Sequence, residues 1–174
     1  VGRLIDRKRV DVLLQACKYL NERYQDWQLD IIGEGPMRSE LEQMSADLGL
    51  NDQVSFGGHS SNVSEHFRAA QIYLMTSDLE GMPNSLLEAM AHGVPVIATD
   101  VGAVADMLGE ANQDFVIEIG NSAILFEKML RLIQDESLRK GYSEKLRRRI
   151  NERFGIDTVT TRYIGLYEKL DVRR

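Results

Sequence analysis

The chain of 174 residues contains a single cysteine, Cys17. One thiol excludes an internal disulfide framework and a cysteine-rich metal site. Because Cys17 lies in a helical run, we interpret it as a small core residue. The sequence also lacks an apolar run of the roughly 18 to 20 residues that a membrane span needs, and it shows no signal peptide. These absences predict a cytoplasmic protein.

Positive charge is not in excess, since 21 Lys and Arg stand against 27 Asp and Glu, for a net charge of -6. Bulk charge therefore gives no reason to expect nucleic acid as a partner. We interpret the basic run at 139–149 as a solvated helix face rather than a membrane patch. The three histidines, His59, His66 and His92, lack metal-ligand spacing and are predicted to be surface or turn residues, so we predict no metal site.

What the sequence does contain is an alternation of strand-like and helix-like runs. The strand-like runs are 1–5, 28–33, 53–58, 71–76, 94–99 and 114–120. The helical runs are 9–24, 37–48, 62–70, 83–92, 103–110, 121–134, 137–153 and 157–170. This order predicts an α/β domain with a doubly wound parallel sheet of about six strands. Because the sequence begins at Val1 within a strand-like run, we expect a domain cut from a longer chain.

Ligands of such sheets bind beyond the carboxyl ends of the strands, where this sequence places its glycine-rich junctions. "GEGP" at 33–36 has the first spacing of a dinucleotide fingerprint, but Arg38 occupies the third glycine position, so the match fails. "FGGH" at 56–59 offers bare backbone that could hydrogen-bond a nucleobase edge. A tight turn is an equally good interpretation.

The segment "EGMPNSLLEAM" joins a loop to a helix. Gly81 permits close backbone approach, and Pro83 suits the first helical position. The start of that helix is an anion site suited to phosphate. Glu88 shares a face with Asn84 and could accept hydrogen bonds from a ribose diol, while Glu80 could reach another part of the same ligand. Spacing alone leaves open that both are ordinary early-helix acids.

Arg3 and Lys8 bracket the first strand-to-helix loop. Two cations there could neutralise a diphosphate, the arginine by bidentate contact and the lysine as a point charge. A solvated basic loop is the alternative.

Taken together, the segments "VGRLIDRK", "IIGEGPMRSELE", "VSFGGH" and "EGMPNSLLEAMAHGVPVIATDVG" resemble the C-terminal domain of the retaining GT-B glycosyltransferases of family 4. The last segment contains the E-x7-E motif of that family, formed by Glu80 and Glu88. The resemblance extends over nearly the whole chain in the right order. It implies the Rossmann-like C-terminal half of a GT-B fold, with 1–174 as the nucleotide-sugar donor-binding domain and the N-terminal acceptor domain missing.

The resemblance also implies roles for particular residues. Arg3 and Lys8 would hold the diphosphate and stabilise it as the leaving group. Glu80 would contact the transferred sugar, and Glu88 the ribose. The remaining implied donor contacts are Gly2, Gly33, Gly35, Gly58, His59, Gly81, Met82, Pro83, Asn84 and Ser85. Of these, 33 and 35 would shape the pocket floor, 58 and 59 would lie by the base, and the backbone of 82–85 would meet sugar and phosphate oxygens.

The implied activity is transfer of a hexosyl group from a UDP- or GDP-sugar to a glycan, lipid-linked or small-molecule acceptor. The anomeric configuration would be retained, without a metal or other cofactor. The isolated chain is expected to be inactive without its own N-terminal domain, and peripheral contact with the inner face of the cell membrane is expected only of the full-length protein. Two alternatives stay open: a degenerate sugar-nucleotide-binding module and a GT-B-fold sugar-nucleotide epimerase.

The sequence departs from the family pattern in the first loop. Arg9 stands where a glycine commonly follows the lysine, and Asp6 stands where a proline is frequent, so the role of that loop is open. The last helical run is amphipathic, with a stripe of apolar residues that predicts docking on the N-terminal domain or weak dimerisation. The stripe consists of Val159, Tyr163, Leu166, Tyr167 and Leu170.

Overall fold

The computed structural model describes residues 1–171. The strands in this range are β1 (Leu29–Ile32), β2 (Val54–Gly58), β3 (Tyr73–Met75), β4 (Val96–Thr99) and β5 (Val116–Ile117). The helices are α1 (Val10–Asn21), α2 (Arg38–Asp47), α3 (Val63–Ala69), α4 (Asn84–His92), α5 (Val104–Leu108), α6 (Ser122–Gln134), α7 (Glu136–Arg153) and α8 (Ile156–Asp171). Short 3-10 turns occupy Asp6–Lys8 and Glu110–Phe115. The predicted alternation of strands and helices is confirmed.

All strand pairs are parallel, as the sequence predicts. They form two groups, β1–β2 and β3–β4–β5. The run at 1–5 differs from its prediction as a strand. The N–H of Gly2 donates to the carbonyl of Ile32 at 2.8 Å, and the N–H of Leu4 donates to that of Glu34. These two bonds lie at and beyond the end of β1, so the pairing is too short to count as a strand.

The core lies where helices cover the strands on both sides. β4 is buried along its whole length, as expected for an inner strand of a parallel sheet. α1 packs on α6, and α4 packs on α7. Cys17 is fully buried in α1, as predicted, and burial raises the pKa of its thiol to about 12. It is therefore a packing residue rather than a reactive thiol.

Helix starts differ from the predictions by one or two residues at the prolines. α2 begins at Arg38, so Pro36 lies in the preceding turn. Pro83 is the N-cap of α4 rather than its first residue, and its ψ of 118° is extended. An N-cap residue has non-helical dihedral angles while its carbonyl already accepts the first helical bond.

The basic run of α7 does more than face solvent, because three of its arginines close the ends of other helices. Arg147 donates to the carbonyl of His92 at 3.0 Å, and Arg149 donates to that of Met107 at 2.6 Å. Arg139 donates to the last carbonyls of α6. Cations at helix C-termini satisfy free carbonyls and complement the helix dipole. α7 thereby fixes the end of α4.

The apolar stripe of α8 is largely exposed. Tyr163, Leu166, Tyr167 and Leu170 are 57 to 69% accessible, and Val159 is half-buried. The predicted exposed surface is therefore present. No helix within residues 1–171 combines the length and apolar character needed to cross a membrane.

Candidate functional site

Glycines bring the chain segments close together beyond β1 and β2. Gly33 has a φ of 146°, and a Cβ there would overlap the carbonyl of Gly2. A Cβ on Gly35 would overlap the carbonyl of Leu4 in the same way. The N–H of Gly33 also donates to the carbonyl of Gly58 at 2.7 Å. The predicted glycines 2, 33, 35 and 58 therefore form one backbone cluster at the carboxyl ends of the strands.

The turn that carries Lys8 is attached to the segment after β3. Thr76 Oγ1 donates to the carbonyl of Lys8 at 3.0 Å. The N–H of Asp78 donates to the carbonyl of Arg7 at 2.8 Å. These bonds position the loop that continues to Glu80.

Lys8 and Glu80 form an ion pair. The Nζ of Lys8 lies 2.5 Å from Oε1 of Glu80, and the side chains are only 23% and 13% accessible. The resemblance assigns these residues to different parts of one ligand, and the structure brings them into contact. An ammonium group has three donors, so Lys8 keeps two N–H groups for a further acceptor.

The start of α4 has no side-chain cap. The N–H of Leu86 is the first to find a helical acceptor, the carbonyl of Pro83. The amide groups before it point out of the helix, where the dipole adds partial positive charge. Met82 and Asn84 beside them are exposed. This end of α4 can accept an anion such as a phosphate oxygen.

Tyr73, at the start of β3, is buried and bonded to the first turn of α4. The Tyr73 hydroxyl donates to Oγ of Ser85 at 2.8 Å. Burial chiefly raises the pKa of Tyr73 to about 12; the bond to Ser85 lowers it, and the charges of Glu80 and Glu88 raise it. Glu88 itself is exposed in α4, and its carboxylate has no hydrogen-bond partner within residues 1–171.

Two predicted residues stand apart from these contacts. Arg3 and His59 are exposed, and neither side chain has a hydrogen-bond partner in the described part of the chain. Arg3, Lys8 and Gly2 line one end of a cavity of about 1090 Å³, which continues between β1 and β3. Glu80 and Glu88 do not line it. The cavity therefore includes only part of the candidate site.

Sequence reasoning missed Gly102, which lies under the loop of Glu80. Its φ is 53°, and a Cβ there would overlap the carbonyl oxygens of Glu80 and Gly81. The N–H of Ala103 donates to the carbonyl of Gly81 at 2.9 Å. The glycine ends the "ATDVG" segment, but only the three-dimensional contact reveals its role.

Sequence reasoning also left Arg9 unresolved. Its φ of 47° and ψ of 48° are left-handed, a conformation that glycine adopts at little cost and other residues avoid. This explains in physical terms why a glycine suits the position. Its side chain is paired with Asp11 and Asp78. No group of three or more His, Cys, Asp and Glu side chains within residues 1–171 is arranged to hold a metal ion.

Known proteins are similar to this chain in sequence and in fold. Residues 1–149 match the family model described as Glycosyl transferases group 1. The N-acetyl-alpha-D-glucosaminyl L-malate synthase of Bacillus anthracis is 30% identical over 161 residues, which are 92% of this chain and 42% of that protein. The lipopolysaccharide core biosynthesis glycosyltransferase LpsD of Rhizobium meliloti is 29% identical, over 97% of this chain and 48% of that protein. The chain thus spans less than half the length of these relatives.

Solved structures confirm the fold. The C-terminal domain of a glycosyl transferase group 1 family protein (LpcC) from Francisella tularensis superposes with a TM-score of 0.80 at 28% identity, covering 90% of this chain and 84% of that domain. Anabaena Alr3699/HepE in complex with UDP has a TM-score of 0.88 at 21% identity, covering 97% of this chain and 47% of that one. The fold is therefore the Rossmann-like half of a GT-B structure, and the chain belongs to the Glycosyl transferases group 1 family.

Proposed function

We propose that residues 1–174 form the nucleotide-sugar-binding domain of a retaining glycosyltransferase of family 4. An N-terminal domain of the full-length protein would supply the acceptor site. The observation that carries the proposal is the ion pair between Lys8 and Glu80 beside the uncapped start of α4. In this proposal Lys8 contributes a cation, Glu80 a carboxylate and the start of α4 free backbone N–H groups to the donor site.

The cations and the helix start suit a diphosphate. Lys8 has two N–H groups left after its bond to Glu80, and the exposed guanidinium of Arg3 lines the same cavity. When the bond between sugar and diphosphate breaks, negative charge develops on the departing phosphate oxygen. Fixed donors aimed at that oxygen lower the barrier. In this proposal these groups stabilise the departing diphosphate without a metal ion.

The two glutamates suit the hydroxyl groups of the two sugars on either side of the diphosphate. Glu80 accepts hydrogen bonds from the transferred sugar, and Glu88, exposed on α4, accepts them from the ribose diol. Gly58 and His59 take the base. The acceptor is a glycan, a lipid-linked or a small molecule, met in the cytoplasm or at the inner face of the cell membrane.

Calorimetric titration with UDP, GDP and UDP-glucose tests the donor site. UDP is included because HepE has been solved with it. We expect saturable binding of at least one of these nucleotides, lost in Lys8→Ala and Glu88→Ala. Lys18→Ala and Glu144→Ala are the matched controls, since both residues are exposed on helices and neither belongs to the proposed donor site. Both variants should bind like the unaltered chain.

The outcomes separate the alternatives. No binding of any nucleotide at millimolar concentration would contradict the proposal and favour a degenerate module. Products of the full-length protein then separate transfer from epimerisation, because a transferase releases nucleoside diphosphate while an epimerase leaves the sugar attached. The anomeric coupling constant of the product by NMR tests retention. Turnover by residues 1–174 alone would contradict the need for an N-terminal domain.

A further inference from the structure

The guanidinium of Arg9 is held between two carboxylates. Its Nε lies 3.0 Å from Oδ1 of Asp11, and its Nη2 lies 2.9 Å from Oδ2 of the same residue. Its Nη1 lies 3.2 Å from Oδ2 of Asp78. All three nitrogen atoms are therefore engaged, and one positive charge faces two negative charges. Such a group has little attraction for a diphosphate.

The two carboxylates come from different places. Asp11 lies in α1, two positions after Arg9, whereas Asp78 lies in the loop after β3, two positions before Glu80. Of the two ion pairs that Arg9 makes, only the one with Asp78 connects the turn of Lys8 to the loop of Glu80. The bonds to Asp11 and Asp78 raise the pKa of Arg9, so the connection stays charged at any physiological pH.

We infer that Arg9 is a positioning residue: its pair with Asp78 holds the Lys8 turn on the Glu80 loop, and its side chain does not contact the diphosphate. The inference rests on the proposed function, because it takes Lys8 and Glu80 as the groups that bind the donor. Arg9 acts on the donor only through them.

The backbone supports this role. The left-handed backbone at Arg9 does not require an arginine, because a glycine there would avoid the steric cost of a φ of 47°. The arginine therefore contributes through its contacts rather than through the shape of the turn. Two hydrogen bonds, from Thr76 Oγ1 to the carbonyl of Lys8 and from the N–H of Asp78 to the carbonyl of Arg7, join the same two segments, and so does the ion pair of Lys8 and Glu80. The pair of Arg9 and Asp78 adds a fourth connection, the second that is charged.

Two single substitutions separate positioning from direct binding. Asp78→Ala and Asp11→Ala each remove one carboxylate from Arg9, so each releases part of the guanidinium and one negative charge. Only Asp78→Ala removes the connection that Arg9 makes between the segments. We expect the dissociation constant for UDP or GDP, measured by calorimetry, to rise roughly fivefold in Asp78→Ala and to stay level or fall in Asp11→Ala. The dissociation constant should also rise in Arg9→Gln, and it should rise less in Arg9→Lys, because lysine keeps the positive charge.

Direct binding predicts the opposite sign for Asp78→Ala. If Arg9 bound the diphosphate, both aspartate variants would bind it more tightly, because each would free donors for the ligand. Equal or tighter binding in Asp78→Ala than in Asp11→Ala overturns the inference. Melting temperatures identify variants that fail to fold, and Asp78→Asn replaces Asp78→Ala in that case.

Hydrogen exchange tests, in the absence of any ligand, whether Arg9 connects the Lys8 turn to the Glu80 loop. The amides of Lys8 and Glu80 should exchange faster in Asp78→Ala and at the unaltered rate in Asp11→Ala. Unaltered exchange in both variants would contradict the inference. If the unaltered chain binds no nucleotide, the proposed function fails, while this readout still decides whether Arg9 positions the two segments.

Discussion

Lys8 and Glu80 are 72 positions apart in the sequence, yet Nζ of the lysine lies 2.5 Å from Oε1 of the glutamate. The contact joins the turn before α1 to the loop before α4. Because both side chains are mostly buried, the pair is shielded from water and salt more than a surface pair. The pair couples the position of Lys8, which is proposed to bind the diphosphate, to that of Glu80, which is proposed to bind the sugar.

Loss of this pair should cost more stability than loss of a surface pair. Glu80→Gln keeps the shape of the side chain and removes its charge, so we expect the free energy of unfolding to fall by about 1 kcal/mol. Glu42→Gln is the matched control, because Glu42 pairs with Arg38 in an exposed position and such pairs contribute about 0.3 to 0.5 kcal/mol. Urea unfolding measures both. Equal losses would show that the partial burial of the first pair has no energetic consequence.

Gly102 should tolerate no side chain. In Gly102→Ala the new Cβ meets the carbonyls of Glu80 and Gly81 at a left-handed φ, so we expect a loss of about 2 kcal/mol or more. Weaker nucleotide binding should accompany it, because the Glu80 loop must move.

The control for this change is Gly141→Ala. Gly141 lies within α7, and a Cβ there meets nothing within 4 Å. Alanine in a helix interior should stabilise by about 0.5 to 1 kcal/mol. Thermal unfolding of the two variants should therefore shift in opposite directions, and a shared direction would refute the steric account.

The bond from Tyr73 to Ser85 should be measurable by a double-mutant cycle. Tyr73→Phe removes the buried donor and Ser85→Ala removes its acceptor. We expect a coupling energy of about 1 kcal/mol in urea unfolding. A coupling near zero would mean that water or another acceptor replaces the serine. Tyr73→Phe alone should leave the fold intact, because the ring remains in the core.

The exposed stripe of α8 should make the chain associate weakly. Tyr167 is 69% accessible and Leu166 is 57% accessible, and burying such side chains against a second copy is favourable. Sedimentation at increasing concentration should show a dimer that Tyr167→Glu abolishes. Thr161→Glu, an exposed polar position on the same helix, should leave the dimer unchanged. A monomer at all concentrations would contradict this expectation.

The periodic elements were predictable because their signals are local. The predicted helix at 83–92 corresponds to α4, which ends at His92 and is followed by Gly93 with a φ of 70°, as a glycine after a helix indicates. The run at 1–5 has the composition of a strand, but its bonding depends on residues some thirty positions away. Local pattern could not decide whether those partners form a ladder, so the strand was predicted and is absent.

For the candidate site, the sequence indicates which residues to consider but not which side chains contact each other. The motif names Glu80 and Glu88, and the glycines name the close approaches, but sequence spacing does not give the direction of a side chain in a loop. The contact of Lys8 with Glu80 and the pair of Arg9 with Asp78 both depend on how the loop after β3 crosses the first turn. Those contacts arise from tertiary structure, and they cannot be inferred from a single sequence.

Amide chemical shifts during a nucleotide titration test the central claim most directly. With UDP or GDP added to the isotopically labelled chain, the account predicts saturable shifts at the first turn and at the start of α4, including Arg3, Lys8, Glu80 and Asn84. The amides of α7 and α8 should stay in place. Shifts centred on α7 or α8, or no shifts at millimolar nucleotide, would contradict it.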